Sequence, residues 1–192
     1  MVSTDESISW IRASLEETGV ADRTILAFVS DNGGLSTLMR GRTSGPTSNR
    51  PLRAGKGYLY EGGIRIPFIV HDPRSNTSGL RSDAASTVDV VPTLLDLAGL
   101  DVPDVDGRSL ARPGPEARPL FFHFPHYHGS GNRPGGAIID GRFKLLEWFE
   151  TGEVELYDLE ADPGEWTNLA QEQRALADSL LEQLKILIYP RT

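Results

Sequence analysis

Two apolar runs, TILAFV at residues 24–29 and IRIPFIV at 64–70, bracket a long segment rich in Gly, Ser, Thr, Arg and Pro. A strand that is apolar along its whole length needs cover on both faces, as in a parallel sheet flanked by helices. The runs are therefore expected to be parallel strands of such a sheet, with Pro67 placing the second near an edge or a bend. The first run ends in Ser30-Asp31-Asn32-Gly33-Gly34. In α/β sheets ligands bind beyond the carboxyl ends of the strands, and a carboxylate beside a carboxamide oxygen is a pair of hard donors suited to Ca²⁺ or Mg²⁺. The same residues also make ordinary turns and helix caps. Residue chemistry alone leaves both readings open.

The 192 residues suffice for one well-buried core, with room for a subdomain. Residues 3–17 read as a helix with Ser3 and Glu6 at capping-box spacing and Ile8, Ile11 and Leu15 at helical intervals. Residues 86–99 read as another, with Val88, Val91, Leu95 and Ala98 on one face. A proline-rich stretch at 101–118 is a linker, and it divides the chain into parts 1–112 and 113–192. Beyond it come short strand candidates at 120–124, 137–139, 142–149 and 154–157, with Asp140-Gly141 as a hairpin signal. A last helix follows, capped by Asn168 with Gln171 and apolar at Leu176, Leu180, Leu184 and Ile188.

A formal charge of −8 opposes broad contact with nucleic acid or anionic lipid, so neither is expected as a partner. No segment has the roughly 20 apolar residues of a membrane span. The chain has no cysteine, which removes disulfides, thiolate metal sites and cysteine nucleophiles. Lys56 sits between two glycines in PLRAGKGYLYEGGIRIP, where its ammonium can approach a small anion with little crowding; a solvated loop lysine is the alternative. Glu61 and Arg65 read as an ion pair that holds this loop. His123, His126 and His128 cluster in HFPHYHG, and the alternation around His123 suits a strand better than a zinc site.

SDNGG, PLRAGKGYLYEGGIRIPFIV and VDVVPTLLDLAG, in that order, closely resemble the C-terminal half of the sulfatase family, the arylsulfatase-type members of the alkaline phosphatase superfamily. LFFHFPHYHG, PGGAIIDGRFKLLEWFE and ELYDLEADPGEWTNLA resemble that family's C-terminal subdomain. The resemblance implies an α/β fold: part of an alkaline-phosphatase-like sheet-and-helix core over 1–112, then an α+β subdomain over 113–192 with a short antiparallel sheet and a C-terminal helix. It implies that Asp31 and Asn32 are ligands of a calcium ion, that Lys56 contacts the sulfate group as a catalytic and substrate-binding residue, and that His123 and His126 line the substrate entrance. The implied function is hydrolysis of aryl or carbohydrate sulfate esters. A phosphoester or phosphonate hydrolase of the same superfamily, and a non-catalytic remnant or binding module, are the alternatives.

The family's nucleophile is a formylglycine made from the first residue of a Cys/Ser-x-Pro-x-Arg motif. Here Ser44-Gly45-Pro46-Thr47-Ser48 is only a partial echo, with serine where arginine belongs. The formylglycine is thus expected to be absent, and the calcium site incomplete, since two oxygen donors fall short of the six to eight that Ca²⁺ takes. The expected missing partner is an N-terminal sulfatase half, and the isolated chain is expected to be inactive. Localisation is left open; relatives are often periplasmic, secreted or lysosomal.

Overall fold

The structure, a computed structural model, describes residues 2–36, 45–76, 78–82, 84–112 and 118–188. Ser44 of the partial nucleophile motif lies outside them. The chain forms two compact units, one of Met1–Val29 with Pro67–Pro113 and one of Ser30–Ile66 with Gly114–Thr192.

The first unit holds helix α1 (Val2–Glu17), strands β1 (Leu26–Val29) and β2 (Phe68–His71), and helix α3 (Val90–Leu97). β1 and β2 pair antiparallel, with Leu26 opposite His71 and Val29 opposite Phe68. This corrects the expectation of parallel strands. β2 alternates half-buried and exposed residues, the pattern of an antiparallel strand with one solvated face. Pro67 and the preceding glycines shorten it, because Ile64 closes a helical turn, α2 (Glu61–Ile64), instead of opening the strand. α1 begins at Val2, so Ser3 lies inside the helix and bonds through its carbonyl to the Ser7 hydroxyl, 2.8 Å.

The α3 region also departs from its expected face. A 3₁₀ turn over Thr87–Asp89 precedes the helix, and Val88 and Val91 are exposed while Asp89, Pro92 and Thr93 are buried. Asp89 accepts from the backbone N–H groups of Ser86 and Arg108, each at 2.8 Å, and Thr93 Oγ1 donates to the Asp89 carbonyl at 2.6 Å. A buried carboxylate that caps two chain segments outweighs the placement of two valines, because an unsatisfied carboxylate there costs more than an exposed side chain.

The second unit is built on an antiparallel meander of β3 (Leu120–Phe124), β4 (Gly135–Asp140), β5 (Phe143–Trp148) and β6 (Glu153–Asp158), in that spatial order. The expected hairpin is present, with Asp140 opposite Phe143. Neighbouring residues point to opposite faces of the sheet. Ile138, Leu145 and Leu156 pack against Ala177, Leu180 and Leu184 of helix α4 (Arg174–Ile188). Ala137, Leu146, Trp148 and Tyr157 pack against Leu59 and Tyr60. Each fully buried leucine contributes about 1.5–3 kcal/mol. The sheet is therefore covered twice, by α4 and by the segment that carries Lys56.

Candidate functional site

Asp31, Asn32 and Lys56 all belong to the second unit, on two loops locked together through the backbone. Beyond Asp31, the Gly33 N–H donates to the Gly63 carbonyl at 2.8 Å. A β-carbon on Gly33 would lie 1.8 Å from the Gly62 carbonyl oxygen, so only glycine permits this approach. One residue on, the Gly34 carbonyl accepts from the Lys56 N–H at 3.1 Å and from Asn49 Nδ2 at 2.7 Å. Asn49 Nδ2 also lies 3.0 Å from the Ala54 carbonyl, 3.1 Å from the Gly62 carbonyl and 3.1 Å from Ser36 Oγ. One side-chain amide thus gathers the carbonyls of three loop residues. Asp31 and the Lys56 side chain are exposed and Asn32 is half-buried.

A third segment closes over the lysine loop. Gly57, at φ 87°, packs against the imidazole of His128, where a β-carbon would stand 2.1 Å from Nδ1. Tyr58 donates its hydroxyl to the Ser130 carbonyl at 2.6 Å. His128 Nδ1 accepts from the Ser130 N–H at 3.2 Å, leaving Nε2 as the nitrogen that carries the ring proton. His123 and His126 are exposed, the first beside Phe149 with ring centres 5.7 Å apart and the second over Phe124 at 4.0 Å. His128 contacts Gly57 of the Gly55-Lys56-Gly57 loop, and the sequence signal that could have marked it is the pair of glycines, Gly129 and Gly131, that follow it in the turn.

Beneath this loop lies a group of buried charges that sequence reasoning missed. Lys144, fully buried on β5, places Nζ 3.1 Å from Glu61 Oε1 and 2.8 Å from Glu165 Oε1. The expected Glu61–Arg65 pair exists at 3.7 Å, on the solvent side of this group. Burial pushes the Glu165 carboxyl above the ordinary carboxylate range, with Lys144 opposing the shift. Next to it, Glu155 accepts from Tyr60 at 2.9 Å, Tyr157 at 2.8 Å and Trp148 Nε1 at 2.9 Å. Burial and the Glu155 carboxylate push both phenols up, so they remain proton donors.

Among the described residues no three His, Cys, Asp or Glu side chains are grouped to hold a metal. Asp31 and Asn32 offer one carboxylate and one amide oxygen, the donor chemistry of a hard cation, but supply only part of a calcium shell.

The family model of sulfatases matches residues 1–100, and that of the N-sulphoglucosamine sulphohydrolase C-terminal region matches residues 54–189. The chain belongs to the sulfatase family. It is 38% identical over 173 residues to a sulfatase of Formosa agariphila, covering 80% of this chain and 30% of that protein. It is 30% identical to an N-acetylglucosamine-6-O-sulfatase of Bacteroides thetaiotaomicron, over 96% of this chain and 34% of that one. The crystal structure of Ps i-CgsB in complex with k-i-k-neocarrahexaose superposes with a TM-score of 0.78 at 27% identity, covering 96% of this chain and 41% of the other. The fold is that of the alkaline-phosphatase-like sulfatases, and the chain spans about a third of the length of the curated relatives it matches.

Proposed function

We propose that this chain is the C-terminal portion of a calcium-dependent sulfatase that hydrolyses carbohydrate or aryl sulfate esters. The observation that carries the reading is the backbone lock between the two loops, in which the Lys56 N–H and Asn49 both bond the Gly34 carbonyl, three residues beyond Asp31. Asp31 and Asn32 would hold the calcium ion with ligands from outside this chain, and a bound divalent ion draws charge from sulfuryl oxygens as the ester bond breaks. The Lys56 ammonium contacts the sulfate and stabilises charge on its oxygens. His128, fixed against Gly57, together with exposed His123 and His126, forms the wall toward the alcohol part of the substrate. The formylglycine nucleophile is supplied outside this chain. Carbohydrate sulfates lead among substrates because the Bacteroides relative is an N-acetylglucosamine-6-O-sulfatase.

The test is chemical-shift titration of the chain with glucosamine 6-sulfate and with the matching 6-phosphate, each with calcium present. Shifts at Lys56, Gly57 and Gly34 with the sulfate, lost in Lys56→Ala, are expected. A stronger response to the phosphate favours the phosphoester reading, and no response to either favours a non-catalytic remnant.

A further inference from the structure

Lys144, the second residue of β5, has no exposed surface. An ammonium removed from water costs several kcal/mol unless anions meet it closely, and here two carboxylates do so. Both are bonded to the lysine loop system. Glu61 opens α2, whose Gly62 N–H donates to the Arg53 carbonyl at 2.8 Å and whose Gly63 carbonyl receives Gly33. Glu165 Oε2 accepts the Glu61 N–H at 2.7 Å, and its backbone carbonyl accepts from the Arg53 guanidinium at 2.8 Å.

The backbone points the same way. Among the described residues only Ala54, at φ 58°, and Glu165, at φ 55°, are non-glycine residues in the left-handed region. Such conformations cost of order 1–3 kcal/mol and persist where surrounding structure over-determines them. One lies in the lysine loop and the other carries a carboxylate to Lys144.

We infer that Lys144 is a positioning residue: through Glu61 and Glu165 it fixes the Gly62-Gly63 turn, and hence the Gly33 and Gly34 backbone that orients Asp31, Asn32 and Lys56. Apolar contacts on a sheet face can slide, whereas a buried ammonium accepts its partners at few positions, the registry use of buried charge. The inference rests on the sulfatase-site reading for the purpose of the loop, but its readout does not depend on ligand binding.

The experiment is backbone amide exchange by NMR on the chain, comparing wild type with Lys144→Met and Glu61→Gln. In Lys144→Met, protection of the Gly33 and Lys56 amides is expected to fall by at least about tenfold, while amides of β5 and β6 stay within about twofold. Glu61→Gln keeps the Lys144–Glu165 pair and is expected to give the same pattern at smaller size; if Lys144→Met does not fold, this variant decides. Unchanged protection at Gly33 and Lys56, or an equal loss throughout the unit, overturns the inference. A failure of sulfate-ester binding by wild type would sink the site reading and leave this result intact.

Discussion

Gly33 and Gly62 touch through their backbones: a β-carbon on the first would fall 1.8 Å from the carbonyl oxygen of the second. That contact joins the Asp31-Asn32 turn to the loop that begins α2, with the Gly33 N–H to Gly63 carbonyl bond beside it. Because the obstructing atom is backbone, it cannot swing aside as a side-chain tip can. Gly33→Ala is expected to cost about 2–3 kcal/mol, the upper part of the range for overpacking. Chemical denaturation measures it, and a loss below half a kcal/mol contradicts the stated packing.

Asn49 is the second clasp. Its Nδ2 lies within 3.1 Å of the Gly34, Ala54 and Gly62 carbonyls, an all-acceptor surround for one nitrogen. Asn49→Asp turns that donor into an acceptor against three carbonyls. It is expected to destabilise by at least about 2 kcal/mol at neutral pH, from lost bonds and repulsion. The deficit shrinks at pH 3, where the aspartic acid regains a donor proton. Thermal melts of both proteins at the two pH values read the difference.

The buried Glu165 carboxyl sets a pH dependence. Its folded-state pKa is raised, by burial first, so the folded state holds the proton more tightly than the unfolded chain does. Its contribution to stability is therefore fully present below the unfolded carboxylate pKa and is lost as pH rises through the folded value. Glu165→Gln has no proton to lose, so its stability should fall less across the window from the ordinary glutamate pKa upward. Paired denaturation curves at pH 4 and pH 7 test this; an equal change in the two proteins counts against it.

Lys144 also shows where sequence reading stops. In FKLLEW a lysine between apolar neighbours reads as one more strand residue, because its partners Glu61 and Glu165 lie on distant segments brought in by tertiary packing. By contrast the meander, its hairpin at Asp140, and the α4 stripe of Leu180 and Leu184 were legible, since local periodicity encodes them. Asp31, Asn32 and Lys56 could be singled out by motif, and the structure brings their two loops together. His128 was seen only as one of a cluster, because its contact with Gly57 depends on a loop closing over another loop. The β1–β2 direction is not legible in the sequence, since β1 is apolar throughout yet, among the described residues, pairs with a single, antiparallel neighbour.

That two-stranded pair bears on solubility. Among the described residues neither β1 nor β2 has a second strand partner, and Trp10, Ile11 and Ile69 of the same unit are exposed at 70%, 51% and 59%. Open edges and apolar side chains of this kind invite association. Sedimentation velocity over a hundredfold range of concentration is expected to show self-association of the chain, reduced by Ile69→Lys. A single monomeric species at every concentration opposes this expectation.

On the proposed function, the turn at Asp31 and Asn32 takes a hard cation, with the Lys56 loop bonded to the adjoining Gly34 carbonyl. Paramagnetic Mn²⁺ is the direct test, because it broadens nearby amide signals even at low occupancy. The account predicts broadening centred on Asp31, Asn32 and Gly33 and extending to Lys56, reversed by excess Ca²⁺ and abolished in Asp31→Ala. Broadening scattered over the acidic surface, with Asp31 and Asn32 untouched, would contradict it.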